Sequence, residues 1–476
     1  MKARAQRPDL QALRGLAVMS VLGFHFFPRI FPNGFVGVDQ FFVLSGFLIA
    51  MVLDKENTLS ASVIYDFYYK RIKRIVPMYL LVILVTLALS LLVFPQSNLA
   101  MNVKSATVAL LFLSNVSPLS KESNEYYSML SLAEDLFTHT WSLAVEMQFY
   151  LLIPLITVLL ASVPSRHYPA ILLSMGGCSF VYHTLSDANT SFYSVFSRIW
   201  QFLTGNAAYY YSDKNLPRRG DYKLVQKEVE FGQEQDTEIV GENDEGGART
   251  FVEYACLSML LFGALCPQPL QAVYLRLNTT MATAVLISLN SRSTLPILVH
   301  FGDVSYTLYL VHWPIFCWLK LNDIDHALGL VCGLLFSWML AVLLTETFEK
   351  FYRNAEKPVI LAFIALLYGL NSSVILFTGY FNNFTQVELG YVFENSDPYI
   401  NITIEHGPLV LYGTRNRRCR LKTSEKGGNR TNTLEERQGT AVVDVGGDRQ
   451  VNPSERSTAC HCLSDGLRHD HPHMRP

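Results

Sequence analysis

The sequence predicts an all-α, polytopic integral membrane protein with about eleven transmembrane helices. Three observations predict it. Half of the 476 residues are hydrophobic and only 16% are charged, whereas soluble globular chains carry about 25% charged residues. The apolar residues gather in runs, from residue 10 to about 380, close to the ~20 residues that a bilayer-spanning helix needs. The short loops also distribute their Lys and Arg residues consistently with one orientation.

The predicted spans are 10–29, 35–53, 75–94, 143–161, 169–184, 195–211, 251–269, 273–289, 304–321, 327–346 and 358–379. The span at 273–289 is interrupted by Arg276 and Asn278, and "SATVALLFLSNV" (105–116) is too short to cross and reads as re-entrant or interfacial. With the N-terminus cytoplasmic, the basic loop 54–74, Arg166, the loop 212–250, Arg292, Lys350, Arg353 and Lys357 all fall inside. Residues after 380 then lie on the outer or lumenal side, with sequons at Asn383 and Asn401; a third, at Asn189, falls in an outer loop. The membrane is the plasma membrane or the endoplasmic reticulum.

The domain organisation follows: a transmembrane domain over 8–380, an outer segment over 381–411, and a tail over 412–476. Residues 212–250, inside the first domain, are polar and net acidic with no apolar period. The tail is rich in Arg, Gly, Asn and Thr and has too few large apolar residues to bury a core, so it is expected to be disordered.

Composition also excludes some classes. A net charge of −2 and the lack of a basic stripe argue against a nucleic-acid partner. The basic N-terminal flank precedes no small-residue cleavage site, so no cleavable signal peptide is expected. Of eight cysteines, Cys178, Cys256, Cys266, Cys317 and Cys332 fall in or beside apolar segments as packed thiols, without a disulfide framework. "CHC" (460–462) and "HDHPHMRP" (469–476) fit no zinc spacing, and no metal is expected.

Ionisable residues inside apolar runs cost free energy and mark sites. Arg14 and His25 lie eleven residues apart, three helical turns, which sets them on one helix face about 16 Å apart along the axis. The plainer alternative is a boundary arginine and a boundary histidine. Arg71 and Arg74 share a face if their segment is helical; their forks suit phosphate oxygens, or they mark a basic cytoplasmic boundary. Glu146 sits in an apolar segment and must be protonated or paired, with Arg14 or a histidine. His312 and Tyr309 share a face of span 304–321, where the histidine assists proton transfer, binds an acceptor or simply packs. Asp39 and Ser45 flank the Phe-rich second span. Ser45 has neither a Gly-x-Ser-x-Gly elbow nor a visible acid partner, which argues against a serine hydrolase.

Five motifs occur in one order: "LRGLAVMSVLGFHFFP" leading into "GFVGVDQFFVLSGFLI", then "YYKRIKRIVPMY", "HTWSLAVEMQFYLLIP", "SYTLYLVHWPIF" and "FEKFYRNAEKP". Together they resemble the acyltransferase-3 family of membrane acyltransferases, over about residues 8 to 380. The resemblance implies transfer of an acyl group, with acetyl expected, from acyl-CoA to a hydroxyl of a carbohydrate or lipid-linked acceptor. It implies His25 as general base within the Arg-x10-His pattern, Glu146 and His312 at the active site, and Arg14, Arg71 and Arg74 facing the donor. A neutral imidazole suits the first role because its pKa lies near working pH.

Many relatives continue into an SGNH-type hydrolase domain. Its nucleophile block is missing from "VGGDRQV" (445–451), where Arg449 replaces the serine. The chain is then naturally single-domain, truncated or differently spliced past 412. Two other function classes stay open: a transporter or channel using buried Arg, His and Glu, and a silent scaffold of the same fold. An inverted repeat favours the first, and full function without His25 favours the second.

Overall fold

The computed structural model describes residues 7–53, 60–93, 98–116, 134–160, 163–213, 245–290 and 295–393, together with four strand segments between 410 and 443. Two compact units separate at about residue 380.

In the first unit each predicted span falls on a helix. These are α1 (Pro8–Phe26), α2 (Gly37–Leu53), α3 (Ala61–Val93), α5 (Trp141–Leu160), α6 (Tyr168–Leu185), α8 (Val195–Asp213), α9 (Glu245–Leu265), α10 (Ala272–Leu289), α11 (Pro296–Leu321), α12 (Ala327–Leu344) and α14 (Lys357–Phe393). The short helices are α4 (Leu99–Leu110), α7 (Ala188–Tyr193) and α13 (Lys350–Asn354), the last reached from α12 through a π-helical turn at Thr345–Glu349. By length and composition seven helical segments are long and apolar enough to cross a membrane. The finer expectation of eleven crossings is not established by that measure.

Three boundaries differ from expectation. α3 begins at Ala61, so most of the segment read as a basic loop is helix; charged residues obscured its apolar period. α11 begins eight residues early, at Pro296, a residue whose fixed φ suits the first turn. The short apolar segment forms α4 over Leu99–Leu110, shifted toward the N-terminus from 105–116. Asn189 lies in α7, whose N-cap Asp187 accepts a bond from the Thr190 amide at 3.0 Å. That bond holds the Asp187 carboxyl below its ordinary range.

α1 packs most closely against α11 and also against α2; α2 packs against α8, which in turn packs against α6 and α10. Reciprocal glycines allow backbone-distance approach at two crossings. A Cβ at Gly15 would collide with the Leu298 carbonyl, and one at Gly302 with the Gln11 carbonyl. The α2–α8 crossing repeats the device with Gly46 against Phe202 and Gly205 against Val43. Small residues let membrane helices approach at backbone distance, where van der Waals packing drives association. Stacked rings fill the space beyond them: Phe202 lies 4.5 Å from Phe42 and 4.3 Å from Phe149, centroid to centroid.

The outward faces are apolar. On α5, Leu151, Leu155 and Leu159 recur every four residues at 63%, 64% and 73% exposure, while Tyr150 and Ile153 turn inward. An apolar face outside and polar groups inside is the pattern a lipid solvent selects. Among the described residues Cys178, Cys256, Cys266, Cys317 and Cys332 are free thiols.

In the second unit the described residues of the tail include an antiparallel meander: β1 (Val410–Tyr412), β2 (Arg418–Lys426), β3 (Asn429–Glu436) and β4 (Gly439–Val443), in the order β1-β2-β3-β4. Most of the loop 212–250, Asn401 and both Cys/His clusters of the tail lie outside the described residues.

Candidate active site

α1, α2, α3, α5 and α11 enclose a cavity of about 70 Å³. α1 contributes Arg14; α3, helical here as the pairing required, contributes Arg71 and Arg74 one turn apart; α5 contributes Glu146 and Tyr150. The Arg71 guanidinium lies 5.8 Å from the Phe67 ring centroid and 5.2 Å from that of Tyr150, so flanking rings hold it. Among the lining residues three guanidiniums face one carboxylate.

Glu146 is paired otherwise than expected. Its Oε1 accepts short hydrogen bonds from the Ser45 hydroxyl and the Tyr150 hydroxyl. Neither Arg14 nor a histidine forms an ion pair with it among the described residues, although Arg14 shares the cavity. Ser45 therefore does have an acid partner, 101 residues away in sequence.

His25 lies three turns along α1 from Arg14, in a second cluster. Its Nδ1 is 2.8 Å from Nε2 of His312, and the two rings stack at 5.0 Å with a 9° interplanar angle. Nδ1 of His312 lies 3.1 Å from the Leu308 carbonyl. A carbonyl only accepts, so Nδ1 of His312 carries the hydrogen. With both rings neutral, Nε2 of His312 then accepts from Nδ1–H of His25, which leaves Nε2 as the basic nitrogen of His25. Trp313 meets His25 edge-on at 5.0 Å and donates its indole N–H to the Asp135 carbonyl at 2.8 Å. Asp135 itself precedes α5, and burial raises its carboxyl, against bonds from Ser105 and the Phe137 amide.

His139 joins this cluster, 6.1 Å from His312, and sequence reasoning did not single it out. Both of its ring nitrogens are buried without a hydrogen-bond partner among the described residues. A signal was available, since His139 opens the Trp-Ser-Leu motif.

Tyr309 joins the two regions. It lines both the arginine cavity and a smaller cavity beside His25. Its hydroxyl donates to the His139 carbonyl at 2.9 Å and contacts the Ser142 hydroxyl at 2.8 Å. All six expected site residues thus fall into two neighbouring groups: Arg14, Arg71, Arg74 and Glu146 on one side of Tyr309, His25 and His312 on the other.

A buried charge cluster stands against the histidine group. Asp39 Oδ1 pairs with NH1 of Arg198 at 3.2 Å and with NH1 of Arg276 at 2.9 Å, and accepts from Gln201 at 2.6 Å. The sequence separations of 159 and 237 residues hid this cluster, although Arg276 did interrupt an apolar run. Among the described residues no group of three or more His, Cys, Asp or Glu is placed to hold a metal.

A profile of the acyltransferase domain family matches residues 7–376, the whole span that carries these groups. The chain belongs to the acyltransferase-3 family. Curated relatives of this acyltransferase-3 chain include the O-acetyltransferase OatA of Staphylococcus aureus strains NCTC 8325 / PS 47, COL and MRSA252. Each is 27% identical over 370 residues, covering 74% of this chain and 57% of the relative. The chain therefore spans less than two thirds of the length of the curated relatives it matches. No solved structure matches it.

Proposed function

We propose that this protein is a membrane O-acyltransferase that moves an acyl group, most plainly acetyl, from acyl-CoA to a hydroxyl of a carbohydrate or lipid-linked acceptor. The observation that carries this reading is a three-arginine cavity and a small cavity at His25 that share Tyr309 as a wall, with His25 paired to His312. Family membership and the O-acetyltransferase relatives point the same way.

Arg14, Arg71 and Arg74 would take the phosphates of the donor, because guanidinium forks make charge-assisted, bidentate bonds to phosphate oxygens. Glu146, tied by Ser45 and Tyr150, would balance part of that charge and hold the cavity open between substrates. The flexible arm of the donor would then run past Tyr309 and present the thioester carbonyl at His25. There Nε2 of His25 accepts the proton of the acceptor hydroxyl as its oxygen attacks the carbonyl carbon. The new C–O bond forms, the C–S bond breaks, and the departing thiolate takes the proton from His25. His312 keeps His25 in the productive tautomer, as the orienting member of a triad does.

In this reading the N-terminus and the arginine cavity face the cytoplasm, where acyl-CoA is found, and the histidine end faces the outer or lumenal side. The side chain of Asn33, in the loop after α1, donates to the carbonyls of Cys266 and Gln268 in the loop after α9, at 3.1 and 2.8 Å. These two loops therefore lie on the same side of the membrane, as the predicted order of spans requires in either orientation.

The experiment uses full-length protein in lipid nanodiscs with acetyl-CoA, following free thiol with and without methyl β-glucoside as a hydroxyl probe. Thioester loss above the protein-free rate supports the reading. Tight acetyl-CoA binding without thioester loss, or no binding at all, contradicts it.

A further inference from the structure

The general base accounts for the proton but not for the negative charge that attack creates on the carbonyl oxygen. We propose that Arg276 is the oxyanion donor of this site, an inference that rests on the acyl-transfer reading above. Arg276 lines the same small cavity as His25, together with Phe35, Trp141, Phe192 and Tyr309. That cavity measures about 10 Å³, room for a single water-sized group, which is the size of one carbonyl oxygen.

The guanidinium is held before any substrate arrives. NH1 of Arg276 donates to both carboxylate oxygens of Asp39, at 2.9 and 3.1 Å. Its Cζ lies 4.9 Å from the Phe35 ring centroid and 5.5 Å from that of Phe192, two rings that also line the cavity. Donors fixed in a water-poor site stabilise developing charge without reorganising at the moment of reaction.

The charge count gives the second argument. Asp39 is a single carboxylate shared by two buried arginines, Arg198 and Arg276. Arg198 spends Nε on the Phe192 carbonyl at 2.9 Å and NH1 on Asp39, and its buried NH2 has no partner among the described residues. The cluster therefore carries one positive charge in excess, inside the membrane domain and against the histidine cavity. An uncompensated buried charge is costly unless an anion answers it. The transient oxyanion is that anion: the carbonyl π pair moves to oxygen as the acceptor's C–O bond forms, and returns as the C–S bond breaks. The acid side of the cluster survives removal of Arg276, because Asp39 keeps Arg198 and Gln201.

The test compares wild type, Arg276→Gln and Arg276→Lys in nanodiscs, with acetyl-CoA and either methyl β-glucoside or water as nucleophile. kcat, the KM for acetyl-CoA, the Kd for CoA and the thermal midpoint are measured for each. The proposal expects Arg276→Gln to lower kcat by roughly 10²–10³-fold, with KM and Kd within about threefold of wild type. Arg276→Lys, which keeps the charge and its pairing with Asp39, is expected to recover at least about tenfold of that loss. Should Arg276→Gln not fold, Arg276→Lys decides alone: lowered kcat at unchanged KM supports the role, and wild-type kcat overturns it. A loss confined to KM or to thermal stability also overturns it. If wild type binds acetyl-CoA without any thioester loss, the acyl-transfer reading fails first, and the oxyanion role with it.

Discussion

Nδ1 of His25 and Nε2 of His312 lie 2.8 Å apart with nearly parallel rings, and this contact assigns the basic nitrogen of His25. The Leu308 carbonyl sets the His312 tautomer and His312 sets that of His25, which puts the hydrogen of a neutral His25 on Nδ1 and the lone pair on Nε2. His312→Leu removes the acceptor and is expected to lower kcat about 10²-fold, the lower range of a general acid–base contribution. His312→Gln, whose amide oxygen can accept from Nδ1–H, is expected to regain part of it. Steady-state thioester kinetics measure both, and equal losses would remove the tautomer argument.

In the proposed mechanism Arg71 and Arg74 bind the donor and take no part in the proton transfer. Each loss of a charge-assisted phosphate contact is worth about 1.5–3 kcal/mol, so Arg71→Ala or Arg74→Ala is expected to weaken CoA binding by roughly 10–100-fold. Calorimetry in nanodiscs reads the change directly. A variant that binds CoA like wild type but turns over slowly would move these arginines out of the donor site.

Ser45 donates a hydrogen bond to Glu146, and the proposed mechanism does not use it as a nucleophile. Removing one bond to a carboxylate costs about 1.5–3 kcal/mol, so Ser45→Ala is expected to lower turnover by no more than roughly 10–100-fold even if the whole cost falls on the barrier. Intact-mass spectrometry after mixing with acetyl-CoA should find no acetyl group on Ser45. A loss of about 10³-fold, or an acetylated Ser45, would restore the serine mechanism.

Gly302 and Gly177 should respond oppositely to alanine. At Gly302 the new Cβ meets the Gln11 backbone, and overpacking of this kind costs about 1–3 kcal/mol. At Gly177 nothing lies within 4 Å, and exchange to alanine gains about 1 kcal/mol of helix propensity. Thermal unfolding in nanodiscs should therefore fall for Gly302→Ala and hold or rise for Gly177→Ala.

Asp39 is fully buried between Arg198 and Arg276. Asp39→Asn leaves two interior cations without their carboxylate, and breaking a buried pair by removing one partner costs about 3–5 kcal/mol. The variant is expected to lose folded yield or thermal midpoint far more than Arg276→Gln. Comparable stability of the two variants would contradict the charge count.

The helices were legible because apolar runs and spacing are local properties. The eleven-residue step from Arg14 to His25 predicted one helix face, and α1 presents both residues inward. The tertiary partners were not legible, since Ser45 and Glu146, or Asp39 and Arg276, meet only after folding. Four of the helices on predicted spans, α1, α6, α8 and α11, are missing from the seven that pass on length and hydropathy, and three of them show part of the difficulty. α1 carries Arg14 and His25, α8 carries Arg198 and α11 carries His312, so the residues that build the site also dilute the apolar signal of their own helices. α3 was shortened for a related reason: its first two turns and the Lys70–Arg74 stretch read as a positive loop, although Tyr65, Tyr68, Tyr69 and Ile72 keep a helical period.

The central claim is that His25 takes the proton of the acceptor hydroxyl as that hydroxyl receives an acyl group whose CoA carrier is held by the arginine cavity. Its most direct test is a single-turnover measurement with radiolabelled acetyl-CoA in nanodiscs, wild type beside His25→Ala. The account predicts label on the acceptor with wild type, loss of transfer by about 10³-fold or more with His25→Ala, and CoA binding unchanged between the two. Equal transfer by both proteins, or loss of CoA binding with His25→Ala, would contradict it.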